Sequence, residues 1–201
     1  MVLSENRRVK KGRSMFFTTT EPFQNPKRLI LLALGGGIGL ALCDQIHVQF
    51  DVLRYFHSGV FGQAWWVAPQ FILATFFMYF GASVFRKEIE AFEIRDFTLS
   101  LVWFVAAYFA SGLFAGTPIT LAVIYLATWL FRIVFSQERK SLAIFSVLLA
   151  ICGTSAEALI SNAGFFVYNR PDFLLVPIWL PGLYLHGAPL IWSLISWVKK
   201  R

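Results

Sequence analysis

Six apolar runs, each of roughly 20 residues, dominate this 201-residue chain and leave it few folds to choose from. A helix of about that length crosses the hydrocarbon core of a bilayer, and lipid admits only elements that satisfy their own backbone hydrogen bonds. The runs lie near Leu29–Phe50, Ala64–Phe85, Phe97–Gly116, Pro118–Phe135, Ser141–Tyr168 and Leu174–Val198. Composition agrees: 57% of the residues are hydrophobic and 14% are charged. Soluble domains hold about 45–50% and about 25%. The expected fold class is an all-α integral membrane protein, a six-transmembrane-helix bundle over residues 29–198. A basic, flexible tail (1–28) precedes it and a short basic end (199–201) follows.

The net charge of +7 is distributed unevenly. Arg7, Arg8, Lys10, Lys11, Arg13, Lys27 and Arg28 precede the first run. Arg86, Lys87 and Arg95 fill the second connection, Arg132, Arg139 and Lys140 the fourth, and Lys199, Lys200 and Arg201 the end. Only Arg54 and Arg170 fall on the other side. By the positive-inside rule both termini face the cytoplasm. The membrane is the bacterial inner membrane in a prokaryote and the endoplasmic reticulum in a eukaryote. Basic residues that flank spans do not build a nucleic-acid groove, so nucleic acid is not an expected partner. Nucleotide, nucleophile-elbow and metalloprotease motifs are missing, and no cofactor or metal is called for. Cys43 and Cys152, both inside apolar runs, read as buried small hydrophobes rather than a disulfide.

Small residues suggest where helices approach. Gly35-x-x-x-Gly39 in the first span and Gly153-Thr154-Ser155-Ala156 in the fifth allow close backbones. Pro177, Pro181 and Pro189 in the sixth run predict a kinked helix whose broken part faces protein or a cavity, and Pro69 predicts a bend at the start of the second. Trp65, Trp66, Trp179, Trp192 and Trp197 fall near span ends, as an interfacial aromatic belt does.

Ionisable residues at membrane depth are costly and point to function. They are Asp44 and His47 in the first run, Glu157 in the fifth and His186 in the sixth. Asp44 and His47, three apart, share a helix face. Asp44 and Glu157 lie about 22 and about 24 Å from the inner edge, hence at one level, and Gln70 and Asn162 fall in the same outer half. A carboxylate there is neutral or paired with His47, since burial penalises a bare charge. The cluster reads as the polar lining of a ligand cavity, as a metal or catalytic site, or as glue between helices.

Two stretches carry a family resemblance. Ala64-Trp65-Trp66-Val67-Ala68-Pro69 opens the second span, and Tyr168-Asn169-Arg170-Pro171-Asp172-Phe173-Leu174-Leu175-Val176 leads into Ile178-Trp179-Leu180-Pro181. Both are similar to motifs of the Insig family of membrane sensors, which is also six-helical with cytoplasmic termini. The resemblance implies lipid sensing: oxysterols and sterol-sensing membrane-protein partners in animals, diacylglycerol-type lipids in bacterial relatives. The animal pattern has an acidic Phe-Asp-Arg-Ser-Arg-Ser stretch after the fourth helix. Here Phe131-Arg132 and Phe135-Ser136-Gln137-Glu138-Arg139-Lys140-Ser141 stand instead, so the animal partner role is not implied, and a membrane-protein partner rests on the resemblance alone.

The expected function is therefore a membrane lipid-binding sensor holding a sterol- or diacylglycerol-like lipid between helices. Its expected ligand-binding residues are Asp44, His47, Gln70, Glu157, Asn162, His186, Trp65, Trp66 and Trp179. Asp172 is expected to cap the sixth helix. Self-association is open. A small membrane enzyme acting on a lipid or isoprenoid through Asp44, His47 and Glu157, and a transporter relaying protons through Glu157, remain as alternatives.

Overall fold

The computed structural model describes residues 25–86 and 91–199. Six helices follow one another: α1 (Pro26–Gln49), α2 (Val67–Phe85), α3 (Ile94–Leu113), α4 (Pro118–Val134), α5 (Arg139–Asn162) and α6 (Leu180–Lys199). Two short strands, β1 (Leu53–Tyr55) and β2 (Phe166–Tyr168), pair antiparallel, with Leu53 opposite Tyr168 and Tyr55 opposite Phe166. The ribbon joins the α1–α2 and α5–α6 connections at the end of the bundle remote from Pro26 and Lys199, which we call the far end.

α1 starts earlier than its apolar run. Asn25 accepts a hydrogen bond from the Arg28 amide at 3.2 Å and Pro26 occupies the first turn, so Pro26–Arg28 are helical rather than part of a tail. The remaining tail residues fall outside the described ones. α5 ends well before Tyr168. Gly164 takes a left-handed φ of 79°, and the aromatic and β-branched Phe166-Val167-Tyr168 then form β2. α6 begins at Leu180, not Leu174. Pro177 precedes it, Pro181 falls in its first turn, and only Pro189 lies in its interior. Pro69 likewise sits in the first turn of α2, where a missing N–H breaks nothing. Asp172 does not cap α6: its Oδ2 accepts from the Ile178 amide at 2.9 Å, two residues short of the helix.

α1, α2, α3 and α5 are long and apolar enough to cross a membrane. α4, at 17 residues, rises about 26 Å. α6 touches all five other helices and buries twelve of its residues. It has little surface for lipid, so it can carry His186, Ser193 and Ser196. The other helices turn large apolar side chains outward: Leu31, Ile38 and Leu42 on α1, Leu73 and Phe77 on α2, Ile151 and Leu159 on α5. Such a continuous apolar surface is what a bilayer covers, and the chain is an integral multi-pass membrane protein. Cys152 is on this outer surface, so of the two cysteines only Cys43 is buried.

The α1–α2 contact corrects the reading of the first-span glycines. Gly35 and Gly39 face open space. Gly36 and Gly37 make the crossing instead, and a Cβ at Gly37 would lie 2.4 Å from Ile72 Cγ1 and 2.6 Å from the Ile72 backbone nitrogen. The aromatic belt is also thinner than expected. Trp179 and Trp192 are buried in the core, because the far-end connections fold over the first and the Arg86 side chain lies over the second. At the near end Arg86 pairs with Glu138 at 3.2 Å and donates to the Trp192 carbonyl at 2.6 Å, tying α2, the α4–α5 connection and α6 together.

Candidate functional site

The ribbon gives the two membrane-depth carboxylates their partners. Its period of two turns Leu53, Tyr55, Phe166 and Tyr168 inward. Tyr55 Oη donates to Asp44 Oδ2 at 2.7 Å, and Gln63 Nε2 donates to the same oxygen at 2.9 Å and to the Ala41 carbonyl at 2.8 Å. Tyr168 Oη donates to Glu157 Oε2, and Tyr184 Oη from α6 donates to Glu157 Oε1 at 2.5 Å. Burial, together with the facing carboxylate, pushes the Tyr55 and Tyr168 phenols well above their ordinary pKa, so both stay protonated and act as donors. Gly153, one turn before Glu157, makes room for this arrangement: a Cβ there would lie 2.3 Å from the Tyr184 ring. Asp44 and Glu157 each lie 18 residues from the start of their helices, about 27 Å along. The two carboxylates thus stand at the same rise along their own helices, as the residue count expects.

His47 does not pair with Glu157. Its Nε2 and Ser111 Oγ on α3 are 2.7 Å apart, and its ring packs on Tyr108 and Trp179 at centroid distances of 4.8 and 5.5 Å. Three residues turn a helix through about 300°, so Asp44 and His47 diverge by about 60°: the carboxylate meets the α1–α2 connection and the imidazole meets α3. Ser111 Oγ also lies 2.9 Å from the Tyr108 carbonyl. When the serine's one proton points there, Nε2–H of His47 is the donor of this pair. Among the described residues no three His, Cys, Asp or Glu side chains converge to hold a metal.

His186 belongs to a separate group. Its Nε2 lies 3.1 Å from Thr128 Oγ1 and 3.2 Å from the Tyr125 carbonyl on α4, and Trp103 of α3 stacks on it at 6.2 Å. Trp66 meets Tyr55 edge-on at 5.4 Å, and Trp179 does the same to Tyr168 at 6.4 Å. Trp65 is 80% exposed, Asn162 is exposed and Gln70 is half-buried. The partners that organise the site, Tyr55, Gln63, Ser111, Tyr168 and Tyr184, carry no membrane-depth charge that would single them out in the sequence. Only the small residue at Gly153 hints that a ring packs there.

Beside Glu157, α5 and α6 part to leave an apolar cleft of about 390 Å³. Val147, Ile151, Thr154 and Ala158 form one wall, Pro181 and Leu185 the other, and Phe173 and Leu174 border it. Thr154 Oγ1 is buried and has no hydrogen-bond partner. The bordering turn is strained: Leu174 and Leu175 sit at φ of 45° and 65°, between Phe173 and Val176, which pair as a β-bridge. Left-handed backbone costs a leucine about 1–2 kcal/mol.

Two solved structures share this fold. Both are of MvINS, a mycobacterial Insig homolog from Mycobacterium vanbaalenii, with a TM-score of 0.76. The alignments cover 88% of this chain and 97% of that one. The fold is Insig-like. Sequence identity is 16% and 17% in the two alignments, and one of the MvINS structures is a cross-linked trimer. No family model matches the chain, nor does any curated protein. The Insig-like fold agrees with the architecture implied by the Trp65-Trp66 and Trp179-Leu180-Pro181 motifs. Here those motifs sit at the far end, where the connections close over the bundle.

Proposed function

We propose that this protein is a membrane lipid sensor that seats one acyl-bearing lipid in the α5–α6 cleft. The cleft itself carries this reading: it opens among lipid-facing residues, its walls are apolar, and it contains one buried hydroxyl without a partner. A polar group left unsatisfied in hydrocarbon is costly, and an ester carbonyl or hydroxyl of a diacylglycerol- or sterol-like lipid satisfies Thr154. About 390 Å³ is enough for the linkage region and part of one chain, with the rest in the bilayer. Contact between a lipid chain and the Phe173–Val176 turn offsets the strain there. Asp44, His47, Glu157 and His186 act as positioning groups, since each has its protein partners; Gln70, Asn162, Trp65, Trp66 and Trp179 complete the far-end surround. Both termini face the cytoplasm in this reading.

Mass spectrometry of lipid extracted from the purified protein tests it. One glycerolipid or sterol is expected per chain. Ser155→Trp, which fills the cleft from an exposed position on its wall, is expected to lower the retained lipid about tenfold. Equal lipid in parent and variant sinks the proposal. Turnover of the extracted lipid on incubation, lost in Glu157→Gln, replaces it with an enzyme.

We also propose that the chain self-associates through α1. Gly35 and Gly39 stand on its outer face with nothing within 4 Å, between the exposed Leu31, Leu34, Ile38 and Leu42, a surface that lets a second backbone approach. The trimeric MvINS makes three copies the expected number. Chemical cross-linking in membranes is expected to give a trimer that Gly35→Leu abolishes. A trimer that survives the substitution places the interface elsewhere.

A further inference from the structure

A second cavity, of about 270 Å³, opens at the far end between the residues that follow α1, the end of α3 with the α3–α4 connection, and the segment after β2. It is separate from the α5–α6 cleft and its lining is more polar. Asp51 and Arg170 both line it, yet they form no ion pair with each other. Asp51 is held in place by its neighbours. Asn169 Nδ2 donates to Asp51 Oδ1 and to the Asp51 carbonyl, both at 2.7 Å, and the Asn169 amide donates to the Val52 carbonyl at 2.9 Å. Asp51 takes a left-handed φ of 54°, a conformation that aspartate tolerates and that recurs at ligand clamps. Arg170 lies over Gly116, where a Cβ would come within 3.0 Å of Nη1, and its guanidinium has no partner among the described residues.

Two opposite charges that share a cavity and stay apart leave room for a ligand carrying the complementary pair. We propose that this cavity binds a phosphate–ammonium zwitterion, with the phosphate on Arg170 and the ammonium on Asp51. A guanidinium offers a phosphate two parallel donors, and Asp51 Oδ2 is free to accept from an ammonium. Phe50, itself part of the lining, is 40% exposed, and Leu113 beside it is 61% exposed. These apolar flanks at a helix end suit the glycerol and upper chains of a phosphatidylethanolamine. A free phosphoethanolamine offers the same charges without the flanking contacts.

Native mass spectrometry of the purified full chain with phosphatidylethanolamine or phosphatidylglycerol tests the assignment. The parent is expected to retain phosphatidylethanolamine about tenfold over phosphatidylglycerol, which lacks the ammonium. Asp51→Asn is expected to erase that preference, and Arg170→Gln to lower retention of both lipids at this site. Neither substitution falls in a helix or the core, so thermal melts should match the parent. Ser155→Trp leaves the effect in place, which separates it from lipid in the cleft. Displacement of the lipid by millimolar phosphoethanolamine identifies a soluble source for the zwitterion, and retention against it identifies the lipid. Equal retention of the two lipids by the parent, or no change in either variant, overturns the proposal.

Discussion

Gly37→Ala is expected to destabilise the protein by about 3 kcal/mol, whereas Gly35→Ala is expected to shift stability by less than about 1 kcal/mol. A methyl group at Gly37 would sit 2.4 Å from Ile72 Cγ1 and 2.6 Å from the Ile72 nitrogen. A side-chain clash could be relieved by a rotamer change; a clash with backbone forces α1 and α2 apart along their length. Overpacking typically costs about 1–3 kcal/mol, and a fixed backbone neighbour puts Gly37 at the upper end. At Gly35 the added methyl meets nothing of its own chain within 4 Å, alanine is still small enough for a second α1 to approach, and its higher helix propensity offsets what little is lost. Thermal unfolding of the two variants in the same detergent, followed by tryptophan fluorescence, checks the pair. Equal melting temperatures would mean that the α1–α2 crossing is looser than described.

Glu157→Ala is expected to cost about 2–4 kcal/mol, and Glu157→Gln clearly less. The carboxylate accepts from Tyr168 on one oxygen and Tyr184 on the other. Truncation strands two buried hydroxyls, each at about 1–3 kcal/mol, and opens space beside the Tyr184 ring. Part of that cost is recovered because polar groups in a membrane find substitute partners, which holds the total below the simple sum. Glutamine keeps one acceptor, and its amide can donate to the other phenol oxygen. A double-mutant cycle with Tyr184→Phe measures the link directly. Glu157→Ala should cost markedly less in the Tyr184→Phe background, because one hydroxyl is already gone. Additive losses would show that Glu157 does not hold Tyr184.

Much of the architecture was legible in one dimension. Membrane helices are selected by length and hydropathy, both of which are properties of contiguous sequence, so the apolar runs located all six. The shared level of Asp44 and Glu157 followed from counting residues along two helices at a constant rise. Helix ends were harder. Tyr168 reads as apolar helix until Gly164 breaks it, and the Leu174–Trp179 stretch reads as membrane until it folds back as a strained turn.

Tertiary structure alone decided which side chains meet. The Gly35-x-x-x-Gly39 spacing marked a face that could approach a backbone, but α2 packs one residue further round, on Gly36 and Gly37. Asp44 and His47 share a helix face by spacing and still take different partners, because 60° of divergence is enough to point one at a connection and the other at α3. Two of the three tyrosines that hold the carboxylates, Tyr55 and Tyr168, come from a ribbon pairing segments more than 100 residues apart; the third, Tyr184, comes from α6. That pairing depends on where two connections end in space, which no local pattern encodes. The sequence by itself determined a six-span membrane protein with carboxylates buried at one depth. The fold decided that tyrosines bind those carboxylates and that the open space lies beside them.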